Sequence, residues 1–133
     1  MITVLYLYLI FRIKQFACDF LFQTNWMANM KGKPGPEGYK ALFAHTGIHA
    51  FATLLIILAA APALWWLAAV DFAVHSFVDR IKGRITDAKK WGPEKRLFWI
   101  AFGLDQEAHN LTHLVYVLVI ADHLDIIQVP LPF

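Results

Sequence analysis

Histidine and aspartate side chains recur at intervals of four residues within several apolar segments of this sequence. Three segments read HTGIH, DFAVHSFVD and DQEAHNLTH, and a shorter one, DFLFQ, lies nearer the start of the chain. Residues four apart share one face of an α-helix, so each segment presents a single polar stripe. Imidazole and carboxylate groups at this spacing are common ligands of zinc, iron and manganese.

This pattern predicts a metal site that side chains from several helices form together. The expected ligands are His45, His49, His75, Asp79, Asp105 and His109. We expect Asp71, Asp19 and His113 to orient these ligands or to act as a general base. So many ligands indicate one or two ions of a divalent transition metal, zinc first, because imidazole suits zinc and the sequence has no haem or iron–sulfur motif. Arg80 and Lys82, at the rim, are expected to hold a substrate phosphate.

Polar packing between helices is the alternative interpretation of the same residues. A single His or Asp within a membrane often makes only a hydrogen bond between helices. Each charge at the bilayer centre costs about 2.5–3.5 kcal/mol on insertion scales, so several at one depth favour a further function. Arg12 and Lys14 are expected to extend to the outer surface, or else to pair with Asp19 or an anionic substrate.

The composition indicates an integral membrane protein. Hydrophobic residues make up 59% of the 133 residues and charged residues 17%. A soluble domain of this size has too small an interior to bury that much apolar surface. The sequence therefore predicts an all-α fold, a single transmembrane domain with helices over residues 4–28, 39–60, 63–82 and 93–124. An extended tail is expected from Ile126 onward.

Two basic stretches determine the expected topology. Ten of the twelve Lys and Arg residues lie in Lys31–Lys40 and Arg80–Arg96. A tight hairpin of helices two and three, turning near Pro62, puts both stretches in the cytoplasm and both termini outside the bacterial inner membrane. The alternative, one span over Ala50–Val70, puts them on opposite sides. The expected partners are the lipid bilayer and a membrane-protein complex or a second copy. The small net charge of +2 does not favour nucleic acid.

Four motifs resemble those of a known family. FACDFLFQTNWMANMKGK, the HTGIH pair, DFAVHSFVDRIKGR and FGLDQEAHNLTH occur in the matching order between Lys14 and His113. They resemble the bacterial and phage membrane proteins catalogued as domain of unknown function 3307. That resemblance implies a helical integral membrane protein and brings no established activity. The His-x-x-x-Asp motif is also loosely similar to that of membrane-bound metal-dependent hydrolases, which in turn are similar to zinc-dependent phospholipases.

Three functions remain compatible with the sequence. The first is a metal-dependent hydrolase acting on a phosphoester or lipid, in which the metal lowers the pKa of a bound water. The second is a non-catalytic accessory or structural subunit of a larger membrane complex. The third is a carrier of metal ions or protons, although four short helices leave little room for alternating access unless the protein oligomerises.

Overall fold

The computed structural model describes residues 2–126, and within that range all regular secondary structure is helical. The α-helices are α1 (Ile2–Phe16), α2 (Asn25–Met30), α3 (Pro36–Ala60), α4 (Leu67–Ala88) and α5 (Arg96–His123). The all-α class predicted from the sequence is therefore confirmed. Residues 127–133, most of the expected extended tail, lie outside the described residues.

The four long helices form a closed ring. α3 packs against α1 and α4, and α5 packs against the same two helices from the other side. The short α2 lies against α3. Each long helix thus turns one face toward a common axis, and the polar stripes of the sequence meet along that axis.

The expected first helix, 4–28, is interrupted in the structure. α1 continues into a π-helical turn, Ala17–Leu21, where the N–H of Phe22 donates to the carbonyl oxygen of Ala17. Thr24 then caps α2, since its hydroxyl accepts a hydrogen bond from the N–H of Met27 at 3.2 Å. The prediction of one continuous helix is wrong because this cap starts a separate short helix.

The hairpin predicted near Pro62 is present. α3 ends at Ala60, and Ala61 is not helical because a proline disfavours the helical conformation of the residue before it. A 3₁₀ turn, Pro62–Leu64, then leads into α4. The chain reverses here, so the alternative of a continuous helix over Ala50–Val70 is wrong.

α4 extends beyond the expected end at Lys82. Its Gly83 contacts the backbone of Gly32 in the α2–α3 loop, and a Cβ added to Gly83 would lie 2.8 Å from the Gly32 Cα. Arg84, one residue later, donates to the Gly32 carbonyl oxygen at 3.2 Å. These contacts favour a further helical turn, to Ala88, where the sequence suggested a polar loop.

α5 begins at Arg96, three residues after the start expected at Pro93. Pro93 lies in a turn instead, and its carbonyl oxygen accepts a hydrogen bond from the Trp99 indole N–H at 2.7 Å. A proline suits the first turn of a helix, but it equally suits a turn, and the sequence does not distinguish these two positions.

Polar side chains lie inside this bundle and large apolar side chains lie outside. The buried polar residues are Lys14, Gln15, Lys31, His45, Thr46, His49, Thr53, Asp71, His75, Asp79, Asp105, His109 and His113. Ile13, Phe51, Phe77 and Leu104, one on each long helix, are each more than 60% exposed. Soluble proteins show the opposite distribution, with few charged groups buried and no extensive apolar surface.

Among the described helices, α3 is long and apolar enough to span a membrane by length and composition. One such helix is weak evidence by itself, and the four-span bundle stays a prediction. α4 and α5 have more charged residues, but Asp71, Asp79 and Asp105 are buried inside the bundle and do not face its surroundings.

An apolar cluster fills the end of the bundle next to the α3–α4 turn. It consists of Leu7, Phe11, Ile57, Ala61, Leu64, Leu67, Tyr116, Val117 and Ile120. The buried polar residues occupy the rest of the axis, toward the loops that precede α3 and α5. The interior is therefore divided into an apolar end and a polar end.

Candidate metal centre

Four histidines from three helices meet in the polar half of the bundle. The ring centroids of His49 and His75 are 4.1 Å apart, and those of His75 and His109 are 3.8 Å apart. The rings of His45 and His49, one helical turn apart on α3, are separated by 4.8 Å. All four side chains are buried. The convergence predicted from the polar stripes is confirmed.

Atoms capable of binding a metal gather in three groups. These are Asp19, His45 and His49; Asp71, His75 and His113; and His75, Asp79 and His109. Within each group one nitrogen or oxygen from every residue lies within 4.8 Å of the others. Two ligands of one zinc ion are at most about 4.2 Å apart, given bonds of about 2.1 Å. Small side-chain rotations would therefore close any of these groups around an ion, and His75 belongs to two of them.

The division of roles expected from the sequence differs from this geometry. Asp19, Asp71 and His113 were expected to orient ligands or to act as a general base, yet each lies within one of the three groups of possible ligands. Asp105 was expected to be a ligand, but it is absent from these groups of described residues. Its carboxylate lies 3.3 Å from both His109 Nε2 and Lys82 Nζ, so it is better placed to orient His109.

The hydrogen bonding of the histidines is incomplete. Among the described residues, both ring nitrogens of His45 and of His75 lack a hydrogen-bond partner, as does Nδ1 of His49 and of His109. His45 Nε2 lies 3.2 Å from Asp79 Oδ2, but the angles do not suit a hydrogen bond. Buried polar atoms are nearly always paired, because an unpaired one costs free energy. A divalent metal accepts lone pairs from such nitrogens, so these residues fit one.

Each of three aspartates is also paired with a buried or half-buried lysine. Lys14 Nζ lies 3.0 Å from Asp71, Lys31 Nζ lies 2.9 Å from Asp79, and Lys82 Nζ lies 3.3 Å from Asp105. The main expectation for Lys14, that it extends to the outer surface, is wrong. A signal was present in the sequence, since Lys14 continues the stripe of Leu7 and Phe11 along the inner face of α1.

The π-helical turn places Asp19 at the edge of the cluster. Its carboxylate accepts hydrogen bonds from the amide groups of Gln15 and Gln106, each at 2.8 Å. His49 Nε2 lies 2.9 Å from the other carboxylate oxygen. Gln106 was not singled out from the sequence, where it is simply the residue after Asp105. π-helical turns are frequent at functional sites because they change the direction in which a side chain projects.

His113 lies between the cluster and Arg12. Its Nδ1 is 2.7 Å from the Arg12 guanidinium, which can only donate, so Nδ1 accepts this hydrogen bond. Its Nε2 lies 3.3 Å from the Lys14 ammonium and 3.7 Å from Asp71. The other oxygen of Asp71 accepts from the Thr53 hydroxyl at 2.6 Å and from Lys14, and these two contacts anchor Asp71.

The two residues expected to hold a phosphate differ in their contacts. Arg80 donates to the carbonyl oxygens of Lys31 and Lys33, and its guanidinium lies 4.1 Å from the ring centroid of Tyr39. The Arg80 guanidinium is therefore already bound to the α2–α3 loop, and its contacts do not support the prediction that Arg80 holds a substrate phosphate. Lys82 differs, since its side chain lines an open cavity.

A cleft of about 610 Å³ leads from the cluster to the loop side of the bundle. Its polar lining includes Asp19, Gln23, Lys31, Lys33, Lys82, Thr86, Asp87, Lys90, Glu94, Asp105 and Gln106. Asp19 and Asp105 belong to both the cluster and the cleft. At the outer rim, hydrogen bonding by the Lys33 ammonium lowers the pKa of the Asp87 carboxyl below its usual value. The apolar cluster fills the other end of the bundle, so the cleft lies on the loop side, and it meets the buried histidine cluster at Asp19 and Asp105.

The chain belongs to the family described as protein of unknown function DUF3307, whose model matches residues 5–129. The family suggested by the sequence motifs is thus confirmed. No curated protein and no solved structure matches the chain. Family membership brings no named activity, and a functional proposal rests on the site itself.

Proposed function

We propose that this protein is a membrane-embedded, metal-dependent hydrolase that acts on a phosphoester or lipid. The His/Asp cluster binds one or two divalent transition-metal ions, zinc first, and the substrate enters through the cleft. One observation carries the proposal. His45 and His75 are buried, neither ring nitrogen of either one has a hydrogen-bond partner among the described residues, and each belongs to a group of ligand atoms within 4.8 Å of one another.

The membrane location is supported by the reversed distribution of side chains and by helix length. At about 1.5 Å per residue, α3, α4 and α5 are each longer than the roughly 30 Å thickness of a bilayer's hydrocarbon core. α1 and its π-helical turn together reach about that length. The exposed apolar side chains would face lipid, and the positive-inside rule assigns the loops before α3 and α5 to the cytoplasm. Both termini would then lie outside the bacterial inner membrane.

The residues at the inner end of the cleft have roles that suit hydrolysis. A bound divalent metal supplies a water of lowered pKa and stabilises charge on the attacked group. Asp19 borders both the cleft and the histidines, so it can accept a proton from a water at that boundary. Lys82 can donate to a substrate phosphate, and Asp105 orients His109.

A structural subunit is the second candidate, and the lysine–aspartate pairs favour it. They offset three buried carboxylates without any metal, so a metal-free polar core is physically reasonable. A carrier has less support, because a buried apolar cluster fills one end of the bundle and interrupts a polar path along its axis.

Metal analysis of the purified protein distinguishes the first two candidates. We expect about one or two zinc ions per chain after purification without chelator. His75→Ala should lose most of this metal because His75 belongs to two ligand groups, whereas His123→Ala, an exposed histidine on α5, should retain it. Folded wild-type protein that stays metal-free in the presence of excess zinc would refute the metal centre and leave the structural candidate.

A further inference from the structure

A second cavity, of about 400 Å³, lies between α4 and α5 on the outer surface of the bundle. Its lining is almost entirely apolar. Phe77, Ile81 and Ile85 contribute from α4, and Leu97, Ile100 and Leu104 contribute from α5. All six side chains are exposed or half-exposed, so the cavity is a surface groove, open to whatever surrounds the protein.

The groove adjoins the polar cleft. Lys82, Trp91 and Asp105 line both cavities, so an apolar surface and a charged one meet at these three residues. Lys82 Nζ is also close to the Asp105 carboxylate, which lies beside His109. A molecule that occupied both cavities would need a polar end near the histidine cluster and an apolar end along α4 and α5.

We propose that the groove binds one acyl chain of a phospholipid whose head group lies in the cleft. This inference rests on the proposed function and specifies its substrate class. The groove spans Phe77 to Ile85 on α4, about 12 Å along the helix axis. The hydrocarbon core is about 30 Å thick, so the groove covers less than half the length of a membrane-spanning partner helix, and its size suits a flexible chain.

The direction of the groove also suits a lipid. One end of the groove, at Trp91 and Leu97, lies at the basic loop between α4 and α5, and the other end, at Phe77, lies deeper in the bundle than the Lys82–Asp105 pair. A phospholipid in the leaflet on the loop side has the same orientation, with its phosphate at the surface and its chain inward. The Lys82 ammonium is placed to pair with that phosphate.

Lipid binding by the full chain tests the proposal. Delipidated protein in detergent is titrated with dioleoyl phosphatidylglycerol and the bound lipid is counted by native mass spectrometry. We expect saturable binding of one lipid per chain. Ala101→Trp, which fills the groove, should weaken it about tenfold, equivalent to 1.4 kcal/mol. Ala59→Trp, the same change at an exposed site on α3, should bind as the wild type does.

Two further measurements separate the possible outcomes. Leu104→Gln, at an exposed groove position, gives a second variant in case Ala101→Trp does not fold. Equal lipid binding by the wild-type protein and both groove variants would overturn the proposal. Groove variants that change the fraction of dimer but not the binding of lipid would overturn it as well. Zinc content is measured in the same samples. If the protein contains metal but the groove variants bind lipid as well as the wild type does, the acyl-chain site alone is rejected. If lipid binding depends on the groove but the protein contains no metal, the proposed hydrolase is rejected.

Discussion

Replacing Lys14 with methionine should destabilise the bundle strongly. Lys14 and Asp71 are both buried, their charged atoms are 3.0 Å apart, and the ammonium also lies 3.3 Å from His113 Nε2. Methionine keeps much of the side-chain volume but leaves the carboxylate uncompensated. Breaking a buried ion pair in this way costs about 3–5 kcal/mol. The free energy of unfolding in detergent, followed by helical circular dichroism, measures the loss.

A second substitution separates the charge effect from a packing effect. Lys14→Met combined with Asp71→Asn removes both charges, so it should recover at least half of the lost stability if the uncompensated carboxylate is the cause. Lys40→Met is the matched control, because the Lys40–Glu37 pair is exposed and should matter little. A loss of less than about 1 kcal/mol for Lys14→Met, the range of surface pairs, would refute the reasoning. Equal losses in the single and double variants would assign the effect to packing.

Two further predictions concern glycines within the helices and the topology of the chain. Gly83→Ala should destabilise the protein because the new Cβ would lie 2.8 Å from the Gly32 Cα. Gly103→Ala, with open space around the new Cβ, should instead stabilise α5 by about 0.5–1 kcal/mol. Thermal unfolding measures the unfolding temperature of both variants, and equal changes in that temperature would contradict the prediction. In a Cys18→Ala background, cysteines introduced one at a time in place of Glu37 and Lys89 should both react with a membrane-impermeant thiol reagent from the cytoplasmic side. Labelling of the two cysteines from opposite sides would reject the four-span topology.

The sequence predicted the helices best where its signals are periodic, and proline marked the α3–α4 boundary correctly but not the start of α5. The α3–α4 hairpin followed from Pro62 and from the position of the two basic stretches. The break after the π-helical turn was missed because a long apolar stretch concealed the capping residue Thr24. The extension of α4 past Lys82 was missed for another reason. It depends on contact between Gly83 and Gly32, which lie far apart in the sequence.

The sequence predicted which residues form the candidate site but not which of them contact one another. Spacing of four residues located the inner faces of the helices, and the shared depth of the stripes predicted that they meet. Spacing within a helix carries no information on which residues approach each other across the axis. The pairing of Lys31 with Asp79, and the contact of Gln106 with Asp19, therefore required the three-dimensional structure.

The balance of charge in the cluster connects the metal to the substrate. Asp19, Asp71, Asp79 and Asp105 carry four negative charges, and Lys14, Lys31, Lys82 and Arg12, which contact the same network, carry four positive ones. Metal-bound histidines are neutral, so one divalent ion leaves this region with an excess of two positive charges, and two ions leave an excess of four. Uncompensated charge would be costly in the proposed membrane location, which favours one ion over two. The same excess favours an anionic partner in the cleft, and the phosphate of a lipid head group beside Lys82 would reduce it. Metal and phosphate should therefore strengthen each other's binding, because each offsets the charge that makes the other costly.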